Sequence, residues 1–369
     1  MKKILFISAL PPSNKTAGCY YTLRSLDDLV NNDYTVDLIY FDSNIIDAMI
    51  PEKVNVLKKY PVKNISCIKN LPMYPLFTRR FEKHICNYIR SISQNYDVLY
   101  FDYSQTFLYS CHINHKFKIL RCHDVIAQRY TRVNPILSGW VKYGEKKILQ
   151  SGNLLLTPSN KDCDLIKNLY DLPSVSTNEY LKKNTVNYCS DFEIMKNSFC
   201  FYGAWSRMDN WEALVWFLKY VHPKLSENFS FCVLGGGLDD KKKKYISKFK
   251  NVKFTGFIDD ILKEITKYQA VIAPLFHGAG IKVKVIDALT TGTPVIGTDI
   301  AFEGIESMNE LCLFANDVSD FIKTLNNWQS IDILYKKSAK EKFIAEYDKN
   351  HISDLLKNEK LWGSNILSA

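Results

Sequence analysis

The sequence predicts an α/β protein built from two Rossmann-like domains, each a parallel sheet with helices on both faces. Its 369 residues suit two domains of about 100–200 residues each. Short, nearly continuous apolar runs are typical of strands covered on both faces, and the segments between those runs carry helical periodicity. Hydrophobic residues form 46% of the chain and charged residues 24%, which excludes a disordered or fibrous protein.

The first half of the chain alternates between these two kinds of segment. Strands are predicted at 4–9, 36–41, 98–101, 118–122 and 154–157. Helical periodicity covers 20–32, 78–94 and 136–151. A stretch rich in Pro, Ser, Thr and Asn, 171–197, then interrupts the alternation and is typical of a connection between domains.

The second half repeats the pattern. Strands are predicted at 198–202, 229–234, 252–254, 270–274, 294–297 and 312–314, with helices at 209–222, 259–268, 281–291 and 317–328. We therefore expect three parts: a Rossmann-like domain over 1–185, a second one over 190–345, and a C-terminal helix over 346–369, with its return to the N-terminal domain left open. Ligands of open parallel sheets bind beside the carboxyl ends of the strands, so the predicted ligand site is a cleft across which the two sheets face each other.

Cysteine usage and the N-terminus bear on the compartment. The ten cysteines are spaced singly, without a CxxC pair, which favours buried thiols in a reducing compartment. The start MKKILFISA lacks an A-x-A-like cleavage site and is interpreted as a first strand rather than a signal peptide. No run approaches the ~20 apolar residues of a membrane span. We expect a cytoplasmic protein and leave peripheral attachment to a membrane open.

The net charge of +9 lies entirely in residues 1–190, and residues 63–90 carry six Lys and Arg against one Glu. Apolar residues recur at helical spacing from Phe81 onward, with Arg79, Arg80 and Lys83 beside them. One interpretation is a surface helix that packs on its own domain. The other is an element that docks on anionic lipid through these three basic residues. No nucleic-acid-binding pattern accompanies the charge, so nucleic acid is not an expected partner.

The stretch 273–305 contains the most informative motif. A predicted strand ends at Pro274, Gly278-Ala279-Gly280 turns the chain, and a helix is expected to begin near Ile281. Backbone N–H groups at such a helix start suit a phosphate or diphosphate. Lys282 then falls in the first turn, where a cation opposes the helix dipole, so it is interpreted as a ligand of a bound anion. The alternative is a surface lysine that snorkels to solvent.

Two acidic features have alternative interpretations. Asp287, five residues after Lys282, suits the hydroxyls of a ribose, or it is an i, i+3 partner of Lys284. Asp162-Cys163-Asp164 has the D-x-D form of a metal motif, but it follows Ser159, which looks like an N-cap. Those two acids are therefore interpreted as first-turn partners of a helix dipole, and no metal is expected.

The stretch GAGIKVKVIDALTTGTPV, followed by Thr298 and Glu303-Gly304, resembles the donor-site motif of GT-B glycosyltransferases of the retaining family 4 group, G-x-G-I-K-x-K-x-x-E-A-x-x-x-G-x-P-V. Segments 201–214, 233–237 and 252–261 resemble other parts of that family's C-terminal domain, and PPSNKTAG and RCHDV resemble parts of its N-terminal domain. Two departures stand out: Ala279 replaces a common Glu, and Asp287 is one methylene shorter than the usual Glu.

The resemblance implies a donor-binding C-terminal domain for a nucleotide-diphosphate sugar and an acceptor-binding N-terminal domain. The implied donor contacts are Gly278, Gly280 and Lys282 around the diphosphate, Asp287 at the ribose, the backbone of Gly256, Phe257 and Ile258 at the base, and Ala279, Ile281 and Glu303 nearby. The implied acceptor side consists of Gly18, His123 and Asp124.

The expected activity is a retaining, metal-independent sugar transfer without a cofactor, to a saccharide or lipid-linked acceptor of surface polysaccharide (O-antigen or capsule) assembly. Lys282 and Arg207 are the expected groups at the departing diphosphate, although Arg207 alternatively pairs with Asp209. His123 is expected at the sugar or acceptor, or is structural. A nucleotide-sugar epimerase of the same plan and a catalytically decayed nucleotide-sugar-binding protein are the alternatives.

Overall fold

The computed structural model describes residues 2–42, 45–62, 73–177, 193–305, 310–349 and 351–358. Two compact units make up the chain: Met1–Glu179 together with Lys349–Ala369, and Tyr180–Asp348. No helix among the described residues is long and apolar enough to cross a membrane.

The first unit is a parallel seven-stranded sheet with helices between its strands. The strands are β1 Lys3–Ser8, β2 Thr35–Asp42, β3 Val54–Pro61, β4 Val98–Asp102, β5 Lys118–Arg121, β6 Leu154–Thr157 and β7 Val175–Ser176. The helices are α1 Ala17–Asn31, α2 Pro75–Thr78, α3 Lys83–Ser93, α4 Phe107–Cys111, α5 Ile126–Val133, α6 Pro135–Leu149 and α7 Asn160–Tyr170.

Apolar residues on both faces of this sheet explain why the strands are continuous hydrophobic runs. One face carries a cluster that includes Leu5, Leu99 and Phe101, and the other a cluster that includes Phe6 and Tyr100. Alternate residues of a strand point to opposite faces, so a strand covered on both faces needs apolar residues at every position.

The second unit is a parallel six-stranded sheet. Its strands are β8 Ser198–Tyr202, β9 Ser230–Leu234, β10 Val252–Gly256, β11 Ala270–Ala273, β12 Val295–Gly297 and β13 Cys312–Phe314. Its helices are α8 Met208–Tyr220, α9 Asp240–Ile246, α10 Ile261–Ile265, α11 Val283–Thr290, α12 Asp299–Phe302, α13 Val318–Asn326 and α14 Ile333–Tyr347, with a 3₁₀ turn at His222–Lys224. A last helix, α15 Ile352–Lys357, packs on the first unit.

Strand order is the same in both sheets up to the sixth strand. The orders are β3-β2-β1-β4-β5-β6-β7 and β10-β9-β8-β11-β12-β13, all parallel. In each sheet the order in which strands are added therefore reverses between the first and fourth strands. These are β1 and β4 in one sheet and β8 and β11 in the other. Ligands of such sheets bind at the carboxyl side of this switch point.

Several predicted limits differ from the structure. The edge strands β3 and β7 were not predicted, and the helix expected over 78–94 begins only at Lys83. The apolar stripe of that helix packs inward, with Ile85 and Ile89 buried in the core of its own unit. Parts of the predicted connection 171–197 and of the basic stretch 63–90, and Trp362 of the predicted C-terminal helix, lie outside the described residues.

Candidate active site

The glycine-rich turn follows β11, at the switch point of the second sheet. Gly278 has φ 123° and Gly280 has φ 65°, conformations that L-residues rarely adopt. The helix begins at Val283, two residues later than predicted, so Lys282 is its N-cap residue rather than part of its first turn. A lysine offers no side-chain acceptor for the first N–H groups, and the first turn holds no acidic residue. This helix start is thus suited to an anion from outside the chain.

Lys282 folds back over the turn. Its Nζ donates to the Gly280 carbonyl oxygen at 2.6 Å and lies 3.7 Å from Glu303 Oε2. A Cβ added at Gly278 would lie 3.2 Å from Lys282 Cε, so the side chain also passes close to that glycine. The structure therefore brings together Gly278, Gly280, Lys282 and Glu303, all predicted donor contacts.

Asp287 lies on the inward face of α11. Its side chain is buried, and its Oδ2 accepts a hydrogen bond of 3.3 Å from the Tyr202 hydroxyl at the end of β8. Burial, with Asp287 beside it, raises the pKa of Tyr202. Tyr202 thus links the strand on one side of the switch point to the helix on the other, a role that the sequence signalled only by its place at the end of a predicted strand.

Lys284 does not pair with Asp287, so that alternative is wrong. Its Nζ donates instead to Asn210 Oδ1 at 2.6 Å. Burial lowers the pKa of Lys284 to about 7, an effect that the nearby Asp209 carboxylate opposes. The lysine therefore ties the start of α11 to the start of α8.

Arg207 is the N-cap residue of α8. It forms an ion pair with Asp209, which was the alternative interpretation of this residue. Its Nε and Nη2 donate to the two carboxylate oxygens of Asp209 at 3.1 and 2.7 Å. Burial alone would raise the pKa of Asp209, but the Arg207 guanidinium lowers it overall. The Arg207 side chain is 63% exposed, and exposed ion pairs contribute only ~0–1 kcal/mol. A bound diphosphate can therefore compete for this guanidinium at small cost.

The proposed base-binding segment lies at the end of β10, beside the loop after β9. Gly256 has φ 83°, and its carbonyl oxygen accepts a 2.9 Å hydrogen bond from Gly235 N. Phe257 is exposed, Ile258 is half-buried, and a Cβ added at Gly236 would lie 3.7 Å from Phe257 Cβ. An exposed aromatic ring beside two glycine turns offers a stacking surface for a planar base.

In the first unit, His123 is held by a buried carboxylate. Its Nε2 lies 2.7 Å from Asp102 Oδ1, while Asp102 Oδ2 accepts hydrogen bonds from Thr22 Oγ1 at 2.7 Å and Ser8 Oγ at 3.2 Å. Asp102 is fully buried at the end of β4. This network assigns the ring proton to Nε2. Nδ1 is buried without a hydrogen-bond partner.

Tyr103 joins the two residues predicted for this unit. Its ring stacks on His123 with centroids 3.8 Å apart, and its hydroxyl donates to the Gly18 carbonyl oxygen at 2.7 Å. Tyr103 has φ 70°, a strained backbone for a bulky residue. Gly18 and His123 therefore lie at one site, the carboxyl edge at the β1/β4 switch point. Asp124, half-buried, follows His123 just before α5.

The three basic residues predicted to contact lipid have different surroundings. Arg79 and Lys83 are exposed. Arg80 Nε lies 3.4 Å from the Ala9 carbonyl oxygen, and its own carbonyl accepts a hydrogen bond from Tyr109. Arg80 thus also ties α2 to the loop after β1.

The D-x-D segment forms a helix start. Ser159 Oγ accepts from Asp162 N at 3.1 Å and donates to Asp162 Oδ2 at 2.7 Å, an N-cap arrangement. Within the part of the chain that the structure describes, no group of three or more His, Cys, Asp or Glu side chains is arranged to hold a metal ion.

Comparison with known proteins bears on these sites. Residues 196–329 match the family described as Glycosyl transferases group 1. A Klebsiella pneumoniae protein, described as an uncharacterized 44.6 kDa protein in the cps region, is 25% identical over 363 residues, which cover 89% of this chain and 91% of the relative.

Solved structures resemble the whole chain. An S. aureus TarM mutant, solved in complex with fondaparinux, α-GlcNAc-glycerol and UDP, has a TM-score of 0.70 at 15% identity and covers 99% of this chain and 100% of its own. WaaG, described as a glycosyltransferase involved in lipopolysaccharide biosynthesis, has a TM-score of 0.61 at 11% identity, with coverage of 99% and 100%.

These findings define a class. Residues 196–329 match a group 1 glycosyltransferase domain, and the described chain has the two-sheet α/β fold of GT-B glycosyltransferases. The predicted fold class is confirmed. Membership of the retaining family 4 group stays a prediction.

Proposed function

We propose that this protein transfers a sugar from a nucleotide-diphosphate sugar to an acceptor, with retention at the anomeric carbon and without a metal ion. The observation that carries the proposal is the turn Gly278–Gly280 with Lys282 folded across it, at the switch point of a parallel sheet. A group 1 glycosyltransferase domain around this turn supports the same activity.

The proposed roles follow from the charge that develops. As the bond from the anomeric carbon to the diphosphate oxygen breaks, negative charge grows on the diphosphate. Lys282, Arg207 and the N–H groups at the start of α11 stabilise that charge. Retention places the acceptor on the face that the diphosphate leaves, so a diphosphate oxygen is the nearest base for the acceptor hydroxyl proton. The acceptor oxygen then bonds to the anomeric carbon.

The first unit supplies the acceptor side in this proposal. His123 is held by Asp102 and stacked on Tyr103, and its Nδ1, buried without a hydrogen-bond partner, is the proposed acceptor for a sugar hydroxyl. A Cβ added at Gly18 would lie 2.9 Å from the Tyr103 hydroxyl, so the missing side chain lets Tyr103 pack against the start of α1 beside the proposed acceptor position.

We propose that the acceptor is a lipid-linked saccharide of O-antigen or capsule assembly on the cytoplasmic face of a membrane. The relative in a cps region and the likeness to WaaG support this class, and the +9 charge of residues 1–190 suits an anionic diphospholipid. Arg79, Arg80 and Lys83 remain proposed lipid contacts.

A panel of UDP-, GDP- and TDP-sugars, each with and without membranes and with a chelator in parallel, tests the proposal. We expect one donor to be consumed, a product with the donor's anomeric configuration by NMR, and no effect of the chelator. Formation of a new epimer from a single UDP-sugar would identify the epimerase instead. Nucleotide-sugar binding without turnover would identify the decayed binding protein.

A further inference from the structure

Helices α5 and α6 carry apolar side chains on the outside of the first unit. Ile136 is 93% exposed, and Val133, Trp140 and Tyr143 are also exposed. Positions 136, 140 and 143 follow the i, i+4, i+7 spacing of one helix face. Most large apolar side chains of this unit lie in its two cores, so this exposed group is a coherent surface. We call it the α6 face: Val133, Ile136, Trp140 and Tyr143.

The other side of α6 is firmly packed, so the exposure is not a sign of a loosely attached helix. Val141, Ile148 and Leu149 are buried in the core. A Cβ added at Gly144 would lie 3.0 Å from Met73 Sδ. Trp140 also packs edge-on against Tyr74, with ring centroids 5.1 Å apart.

Every exposed charge on these two helices is positive. The exposed basic residues are Arg129, Arg132, Lys142, Lys146 and Lys147. The acidic residue of the segment, Glu145, is buried. Its Oε1 accepts from Ile126 N at 2.8 Å, and its Oε2 accepts from Ala127 N at 2.9 Å and from the Tyr170 hydroxyl at 2.6 Å. The α6 face is therefore apolar with a basic border.

We propose that the α6 face docks on an anionic lipid bilayer, with Ile136, Trp140 and Tyr143 in the interface and Lys142 and Lys146 against lipid head groups. Aromatic side chains favour the bilayer interface, and basic amphipathic helices bind anionic membranes. A second copy of this chain is a poorer occupant, because a two-fold contact would set these basic borders against each other.

This inference rests on the proposed function, because the bilayer contact serves a lipid-linked acceptor. Helix α5 starts at the third residue after His123, and Glu145 fixes α6 to that start. The eight residues of α5 rise by about 12 Å. A bilayer on the α6 face would thus hold the lipid of a lipid-linked acceptor near the His123 site.

Co-sedimentation of the full chain with vesicles tests the proposal. One set of vesicles contains phosphatidylcholine alone, and the other contains equal parts of phosphatidylcholine and phosphatidylglycerol. We expect binding to the second set only, weakened by added salt. The test variants are Ile136→Ser with Tyr143→Ser, and Lys142→Glu with Lys146→Glu. We expect each pair to lower the partition coefficient by about ten-fold or more.

Matched controls make the same chemical changes on the second unit. Leu334 is 72% exposed, and Leu334→Ser removes an exposed apolar side chain there. Lys241→Glu with Lys244→Glu reverses two exposed lysines. We expect both controls to bind vesicles like the wild type. Equal binding by the α6-face variants and the controls, or no binding of the wild type to anionic vesicles, would overturn the inference.

Consumption of the donor sugar is measured on every variant without vesicles, with a detergent-solubilised membrane extract as the source of acceptor. We expect wild-type rates, because these side chains lie outside the proposed donor site. Loss of vesicle binding with intact donor turnover supports the α6 face as the lipid contact. A wild type that binds vesicles through this face but consumes no donor contradicts the proposed function alone. A change of oligomeric state in the Ile136→Ser, Tyr143→Ser variant without any vesicle binding contradicts the lipid proposal.

Discussion

At the scale of single residues, His123 has one ring nitrogen fixed by a carboxylate and the other buried without a hydrogen-bond partner. Asp102 cannot turn away from Nε2, because its second oxygen is held by Thr22 and Ser8. The stacked ring of Tyr103 fixes the plane of the imidazole. This arrangement leaves Nδ1 as the ring nitrogen without a hydrogen bond, and it is an acceptor when the proton lies on Nε2.

His123→Ala is expected to lower sugar transfer by about ten- to a hundred-fold, the effect of losing one or two strong hydrogen bonds to the reacting sugar or acceptor. The dissociation constant of the nucleoside diphosphate is expected to stay unchanged, because the proposed diphosphate site lies in the other unit. Steady-state rates and calorimetric titration check the two parts. His112→Ala, a change of another ring of the first unit that lies outside the site, is the control. Equal transfer rates for wild type and His123→Ala would show that the histidine is structural.

The sequence pointed to Lys282 and His123, and to Gly18 through the family resemblance. It did not point to Asp102, Tyr103 or Tyr202. The first three stand in motifs whose spacing is visible along the chain. The others act through contacts between strands that are distant in sequence, such as β4 beside β5 and β8 beside β11. The φ of 70° at Tyr103 has no sequence signal, since tyrosine does not favour that region.

At the scale of elements, the strands that the sequence missed are the two edge strands of the first sheet. The inner strands are buried along their length and stand out as apolar runs. Strand β3, VNVLKKYP, is an edge strand with several exposed residues, so its composition resembles a loop. Strand β7 has only two residues, too few for a periodicity.

The helix starts show a similar limit. The sequence suggested that α11 begins near Ile281, directly after the turn Gly278-Ala279-Gly280. The structure delays it to Val283, since Gly280 has φ 65° and cannot continue a right-handed helix. Because of this later start, the ammonium of Lys282 lies at the N-terminus of the helix, over Gly280.

Helix α15 depends on a cap supplied by another helix. Asp28, on α1, accepts hydrogen bonds of 2.8 Å from both Ser353 N and Ser353 Oγ, while Ile352 and Leu356 are buried in the core of the first unit. The carboxylate of Asp28 thus satisfies an N–H at the start of α15, as an N-cap side chain does.

Asp28→Ala is expected to lower the free energy of unfolding of the first unit by about 1 kcal/mol, the usual cost of losing a cap, and to make α15 more accessible to protease. Urea unfolding and limited proteolysis followed by mass spectrometry measure the two effects. Asp164→Ala, which removes an exposed carboxylate of α7, is the control and should change neither. Cleavage around α15 at the same rate in all three proteins would contradict the role of Asp28.

At the scale of the whole molecule, one strand order serves two units. In each sheet the strand order reverses between the first and fourth strands. The turn Gly278–Gly280 and the His123 site lie at these two reversals, whereas the segment after Gly256 follows the edge strand β10. The apolar runs predicted two parallel sheets, because strands covered on both faces need such runs, but they did not predict the strand order. The charge is divided unequally, with the excess of +9 in residues 1–190. The proposed diphosphate site would therefore rely on local groups rather than on a basic domain.

The central claim is that the start of α11, with Lys282 across Gly278 and Gly280, binds the diphosphate of an activated sugar. Calorimetric titration of UDP, GDP and TDP, each beside its nucleoside without phosphate, tests it most directly. For the wild type we expect one diphosphate to bind clearly more tightly than its nucleoside. For Lys282→Ala we expect binding of that diphosphate to weaken by about ten- to a hundred-fold, with binding of the nucleoside unchanged. Lys224→Ala, at an exposed lysine of the same unit, should match the wild type. Equal affinity of wild type and Lys282→Ala for every nucleoside diphosphate would contradict the claim.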